Sequence, residues 1–116
     1  MNDMCLAYTA KREVSMATLR DTRAVVEVVE HRMRKNNKSC KAVVSEPNQF
    51  SWWHKNVKMK VDRKELTRFK SSRKLRPVLP RCADHFYSES IKPPAWTRKM
   101  KRVGKIGKTV YFCSHK

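Results

Sequence analysis

The chain has 116 residues and a mass of 13.7 kDa, enough for one domain with a single compact core and too short for two. Its 28 Lys and Arg against 10 Asp and Glu leave a formal charge of +18, which implies attraction to polyanions, whether nucleic acid or an anionic bacterial envelope, without choosing between them. An apolar share of 40% that includes three Trp, three Tyr and four Phe excludes a wholly disordered chain, and no segment is long and apolar enough to span a bilayer.

In chain order, Asn2-Asp3 can cap a first helix that runs to about Glu13, with Leu6 and Ala10 one turn apart. Thr18 caps a second helix, with Asp21 in its acid-favouring first turn. Val25, Val29 and Met33 then repeat on one face, opposite Arg20, Arg23, Glu27, Glu30 and Arg34, and the helix ends at Asn36-Asn37 because Asn tolerates left-handed backbone. A short helix from about Ser39 to Ser45 must stop before Pro47, and the cluster Phe50, Trp52, Trp53 and His54 follows it. Asp62 and Glu65 form a capping box for a helix that reaches about Leu75, with Leu66 and Phe69 on one face. Pro77 and Pro80 break that pattern, Ala83 to Tyr87 is extended, and Lys92 to Trp96 is a rigid turn. Two strands near Arg102-Val103 and Thr109 to Phe112 flank a hairpin connection at Gly104 to Gly107, and the basic run Arg98 to Arg102 is expected to fray in solvent. The fold class expected is α+β: one mostly helical, lysozyme-like domain over residues 1–116 with a small C-terminal hairpin or sheet.

Cys5, Cys40, Cys82 and Cys113 include no Cys-x-x-Cys pair, and their even number permits two disulfides in any of three pairings. Free cysteine is so readily buried that four reduced, core-forming thiols are the expectation. Cys82-x-x-His85 and Cys113-x-His115 contain zinc-type ligands, but the spacing is not that of a standard finger, and His31, His54, His85 and His115 announce no metalloenzyme motif. No metal and no cofactor are expected. Met4 to Tyr8 is too short for the apolar core of a secretory signal, so synthesis in the cytoplasm of the (host) cell is expected, with another route to any target outside it.

Three blocks together carry a family resemblance. Cys5-Leu6-Ala7 stands eight residues before Glu13 and is followed by Ala24-Val25-Val26-Glu27-Val28-Val29-Glu30-His31-Arg32-Met33; Ser39-Cys40-Lys41-Ala42-Val43-Val44 leads to Gln49-Phe50-Ser51-Trp52; Ala83-Asp84-His85-Phe86-Tyr87 leads through Trp96 to Ile106-Gly107-Lys108-Thr109-Val110-Tyr111-Phe112. In this order and spacing the chain resembles the SleB-type cell wall hydrolases, the spore-cortex lytic enzymes and their phage relatives. The family usually reads Glu-Ala-Arg-Gly-Glu where this chain has Glu13-Val14-Ser15-Met16-Ala17, so only the first glutamate is kept, and Thr109 stands where the family has histidine.

The resemblance implies a peptidoglycan-degrading enzyme that acts between N-acetylmuramic acid and N-acetylglucosamine, with Glu13 as the catalytic acid. One glutamic acid, its pKa raised by an apolar setting, can protonate the leaving oxygen. A hydrolase needs a second carboxylate, whereas a lytic transglycosylase lets the muramic acid 6-hydroxyl close on the anomeric carbon, which favours the latter. Asp84 is the runner-up acid, with a structural or electrostatic role expected for it. Phe50 and Trp52 are candidates for stacking on sugar rings, Gln49 and Ser51 for hydrogen bonds to hydroxyl or N-acetyl groups, and His85 and Tyr87 for the opposite wall. The partners expected are glycan strands and the anionic envelope, with nucleic acid bound only non-specifically, by a monomeric endolysin or virion-borne lysin. Two other readings stand beside it: a basic nucleic-acid-binding module, and an inactive wall-binding protein of the same fold.

Overall fold

The computed structural model describes residues 2–47 and 49–114. Its elements are α1 (Asn2–Val14), α2 (Leu19–Asn36), α3 (Cys40–Val44), α4 (Arg63–Ser72), β1 (Ala83–Ser88), a 3-10 turn (Ala95–Lys99), β2 (Lys101–Ile106) and β3 (Thr109–Cys113). This is the expected α+β class, helices first and a small antiparallel sheet at the C-terminal end. None of the described helices is long and apolar enough to cross a membrane.

Local chemistry sets most helix ends where the sequence places them. Thr18 Oγ1 accepts the Asp21 N–H at 3.0 Å, and Asn37 closes α2 in left-handed backbone at φ 51°. Asp62 and Glu65 exchange reciprocal 2.8 Å bonds at the start of α4. That helix stops at Ser72, short of the expected Leu75, and the Ser72 hydroxyl bonds back to the Phe69 carbonyl at 2.6 Å. Asn2 does not cap its own helix: its side-chain oxygen accepts the Cys40 N–H at 3.3 Å.

The core is built around α2, which buries two faces. Val25, Val26 and Val29 pack with Leu6, Ala7 and Ala10 of α1, Val43 and Val44 of α3, and Phe69 of α4. Ala24 and Val28, one helical turn apart, pack instead against Ala83, Ile106 and Tyr111 of the sheet. The sheet order is β1-β3-β2, all antiparallel, so β3 is central and all five of its residues are buried.

The C-terminal hairpin is tighter than expected. Ile106 pairs with Thr109 across the two residues Gly107 and Lys108, while Gly104 lies inside β2 beside a register shift. Gly107 turns the corner at φ +59°, and a Cβ there would stand 2.5 Å from Asp21 Oδ1, so only glycine lets the hairpin approach the start of α2 this closely. The basic run does not fray: Arg98 and Lys99 belong to the 3-10 turn, and Lys101 and Arg102 to β2.

The cysteines are also not the reduced thiols expected. Cys5 is bonded to Cys40, tying α1 to α3, and Cys82 to Cys113, tying the loop before β1 to the end of β3. Burial, the ground for expecting thiols, does not exclude a disulfide; the fold brings the paired Cα atoms to 6.1 and 5.1 Å, within the span of the bond. The sulfurs needed for the zinc alternative at Cys82 and Cys113 are thus joined to each other, and His115 lies outside the described residues.

Candidate active site

Glu13 lies in the last turn of α1 and is half-buried. Its Oε2 accepts a 2.7 Å hydrogen bond from the indole N–H of Trp52. Trp52 arrives on the turn after α3, where alternate residues point in opposite senses: Phe50 and Trp52 are each only 7% exposed, while Gln49 and Ser51 face solvent. Tyr8 meets Trp52 edge-on with ring centroids 5.3 Å apart, Phe50 lies 5.7 Å from Trp52, and Phe86 lies 6.3 Å from Phe50. The carboxyl therefore rests at one end of a row of packed aromatic rings, and the edge-to-face geometry favours that row beyond its buried area.

Burial in this setting raises the Glu13 pKa above the ordinary carboxylate value, and the Trp52 N–H and the Arg12 charge offset it only in part. Arg12 is itself turned aside, its guanidinium donating to the Tyr8 hydroxyl at 3.1 Å. Such a group retains a proton at a pH where a solvated glutamate has lost it.

Past Glu13 the chain turns through two consecutive residues in left-handed backbone, Ser15 at φ 55° and Met16 at φ 52°. Neither is glycine, so the turn is strained. Two contacts hold it: Met16 buries its side chain in the helical core, and Arg68 of α4 donates to the Met16 carbonyl at 2.8 and 3.1 Å. Met16 occupies the place where the resembling family has glycine, the residue at ease with that backbone. Ala17, where the family's second glutamate would fall, is exposed.

His85 and Tyr87 stand elsewhere. On β1 they point to the face opposite Phe86, and their ring contacts are with Trp96 and Phe112: 5.4 Å from His85 to Trp96, and 5.9 Å from Tyr87 to Phe112. Phe86, between them in sequence, is the β1 ring that reaches Phe50 and, on the other side, Tyr111. The structure thus gathers Glu13, Phe50 and Trp52, with Gln49 and Ser51 on the same turn, and leaves His85 and Tyr87 in a second aromatic cluster.

Beside that cluster lies Asp84. Burial alone would raise its pKa, but hydrogen bonds from Ser114, His85 and Lys35 outweigh it and hold the carboxyl at about 2. An acid that strong carries no proton to deliver near neutral pH.

Tyr8, Arg68, Phe86 and Tyr111 support the site without having been singled out in the sequence. Tyr111 is fully buried, and its phenol is held neutral by burial and by the nearby charges of Asp21, Glu13 and Glu27, against a weaker effect of Thr109. Its hydroxyl has no partner of good hydrogen-bonding geometry among the described residues. Strand alternation was the available signal for Phe86, since His85 and Tyr87 cannot share its face.

Residues 18–112 match the family described as Cell Wall Hydrolase. The chain belongs to the cell wall hydrolase family. No curated protein and no solved structure matches it. Membership makes this a peptidoglycan-acting enzyme, in accord with the resemblance read from the sequence. The matched span of this cell wall hydrolase takes in Phe50, Trp52, His85 and Tyr87 but begins at Thr18, so the case for Glu13 rests on its own geometry. Three cavities, of about 290 to 430 Å³, lie away from it: one at the start of α1 and two near the end of α2.

Proposed function

We propose that this cell wall hydrolase cleaves the glycan strand between N-acetylmuramic acid and N-acetylglucosamine as a lytic transglycosylase, with Glu13 as its single catalytic acid and base. The observation that carries this reading is the half-buried Glu13 carboxyl, its pKa raised, held by the Trp52 indole. Because an indole N–H only donates, Oε2 is the accepting oxygen, and the acid's proton belongs on Oε1. Oε1 protonates the glycosidic oxygen as the bond to the anomeric carbon breaks and positive charge grows on the muramic acid ring. The resulting carboxylate then removes the proton of the muramic acid 6-hydroxyl, whose oxygen closes on that carbon to give the 1,6-anhydro product. Glu13 ends protonated as it began, and no water is consumed.

A second carboxylate is not required by this route. That agrees with Ala17 at the place of the family's second glutamate and with Asp84 ionised in another cluster. Gln49 and Ser51, exposed on the turn that delivers Trp52, are the residues available to hydrogen-bond sugar substituents, while Phe50 and Trp52, buried behind them, support the turn and the Glu13 carboxyl instead of stacking on a sugar ring. The +18 charge suits an endolysin or virion-borne lysin, made inside the host cell, that must hold to an anionic envelope.

The test is to digest purified peptidoglycan and weigh the soluble products by mass spectrometry. Anhydro-muropeptides are expected; ordinary reducing ends would make the enzyme a muramidase, free stem peptides an amidase, and no release a wall-binding protein. Glu13→Gln should lower the rate by about 10² to 10⁴ without unfolding the chain, as expected for loss of a general acid. An unchanged rate moves the catalytic role to another residue.

A further inference from the structure

At the C-terminal end of α2, His31, Arg34 and Lys35 fall on one face, and the loop before β1 brings Arg81 opposite them. Together they line two adjoining cavities, one of about 430 Å³ bounded by His31, Arg34 and Arg81, the other of about 290 Å³ that adds Lys35, Cys82 and Asp84. Neither cavity is lined by Glu13 or by Trp52, Tyr8, Phe50 or Arg12 around it, so this basic hollow is distinct from the candidate active site.

The walls are fixed in place. Cys82 is bonded to Cys113, and His31 Nδ1 lies 2.7 Å from the Ala83 carbonyl. A carbonyl can only accept, so Nδ1 carries the hydrogen, and the contact fixes the orientation of the ring in the wall.

What separates this hollow from the general basic surface is that its unpaired guanidinium groups face one shared concavity. Several cations on and around α2 are matched, Arg23 with Glu27, Arg32 and Lys38 with Glu46, Arg73 with Glu30, while Arg20 at the start of the helix is exposed and lines neither cavity. Arg34 and Arg81 have neither an ion pair nor a side-chain hydrogen bond among the described residues, although they line the same cavity. The single carboxylate lining either cavity, Asp84, is already engaged by Lys35, His85 and Ser114, and Glu30, one helical turn before Arg34, is paired with Arg73. Three cationic side chains against one carboxylate leave two positive charges facing a concave space.

We propose that this hollow is a phosphate-binding site, with Arg34 and Arg81 as the guanidinium forks, Lys35 as a third cationic donor and His31 as part of the wall. Guanidinium matches phosphate oxygens two at a time, and a phosphomonoester dianion balances the two unmatched charges as a single carboxylate does not. The phosphate has two possible sources, a phosphate ester carried on a cell-wall glycan and free inorganic phosphate. The site goes beyond the cleavage reading and does not depend on it.

Calorimetric titration with inorganic phosphate tests the site directly. Arg34→Gln/Arg81→Gln should raise the dissociation constant at least about tenfold, since each lost charged hydrogen bond is a substantial part of the binding. The charge-matched control Lys64→Gln/Lys70→Gln, on exposed positions of α4, should change it less than about twofold. Equal weakening by the two double variants, or no binding by the unaltered protein, overturns the proposal. Co-sedimentation with walls before and after chemical removal of phosphate esters identifies the source. Loss on stripped walls that the Arg34/Arg81 variant no longer shows supports the wall-borne ester; equal sedimentation with phosphate binding retained supports the free anion. Both readouts are of binding, so their failure leaves the cleavage reading standing, and inactivity of the enzyme leaves this one standing.

Discussion

The indole of Trp52 donates to Glu13 across 39 residues of chain, and this 2.7 Å bond joins the end of α1 to the turn after α3. It favours the ionised carboxylate, against the burial that favours the neutral acid. Trp52→Phe keeps an aromatic ring but removes the donor, so the Glu13 pKa should move further up. The alkaline limb of kcat/KM against pH is expected to shift to higher pH than in the unaltered enzyme. A limb that stays in place would show that Glu13 does not govern it. The stability linkage has the matching sign: a carboxyl raised in the folded state contributes most below its unfolded value of 4.5, and that contribution is lost as pH rises through the folded value.

Met16→Gly sets two effects against each other. Glycine relieves a left-handed residue at φ 52°, a gain of about 1 kcal/mol. It also deletes a side chain that is 4% exposed in the helical core, a loss of about 2–5 kcal/mol. The cavity should win, and chemical denaturation is expected to show a net loss of about 1–4 kcal/mol. A more stable variant would mean that backbone strain outweighs the packing.

Asp84 predicts an acid limit to stability. Its pKa falls from 3.8 to about 2 on folding, so its contribution is complete above the unfolded value and disappears as pH falls through about 2. Up to about 2 kcal/mol is at stake, by the conversion of a pKa difference to free energy. Asp84→Asn should flatten that part of the profile when urea unfolding is compared at pH 5 and pH 2. Equal acid sensitivity in both proteins would assign the effect to other carboxylates.

The Cys5–Cys40 disulfide spans a sequence separation of 35, and closing a loop of that size in the unfolded chain is worth about 3–4 kcal/mol. Cys5→Ser/Cys40→Ser should lower the melting temperature markedly, and reductant should then act further only through Cys82–Cys113. A melting temperature indifferent to both changes would mean that the staple constrains nothing that folding does not already hold.

Local chemistry made much of this fold readable in advance. The caps at Thr18 and Asp62, the stop at Asn37, the valine stripe of α2 and the pairing of the last two strands depend on neighbours within a few residues, and those neighbours are adjacent in the sequence itself. The ordered blocks likewise carried the family. The second buried face of α2, Ala24 and Val28, was less visible because short side chains announce no partner until the sheet is laid on them.

What residue order alone determined, then, is where most helices begin and end, the α+β class, and the family to which the chain belongs. Only the tertiary structure decided that Trp52 meets Glu13, that Phe86 rather than His85 or Tyr87 reaches Phe50, and that the four cysteines pair as they do. The reason is the range of the forces involved. Capping and periodicity act over a turn or a strand, whereas a carboxyl's proton affinity and a sulfur's partner depend on groups that only packing brings within a few ångströms.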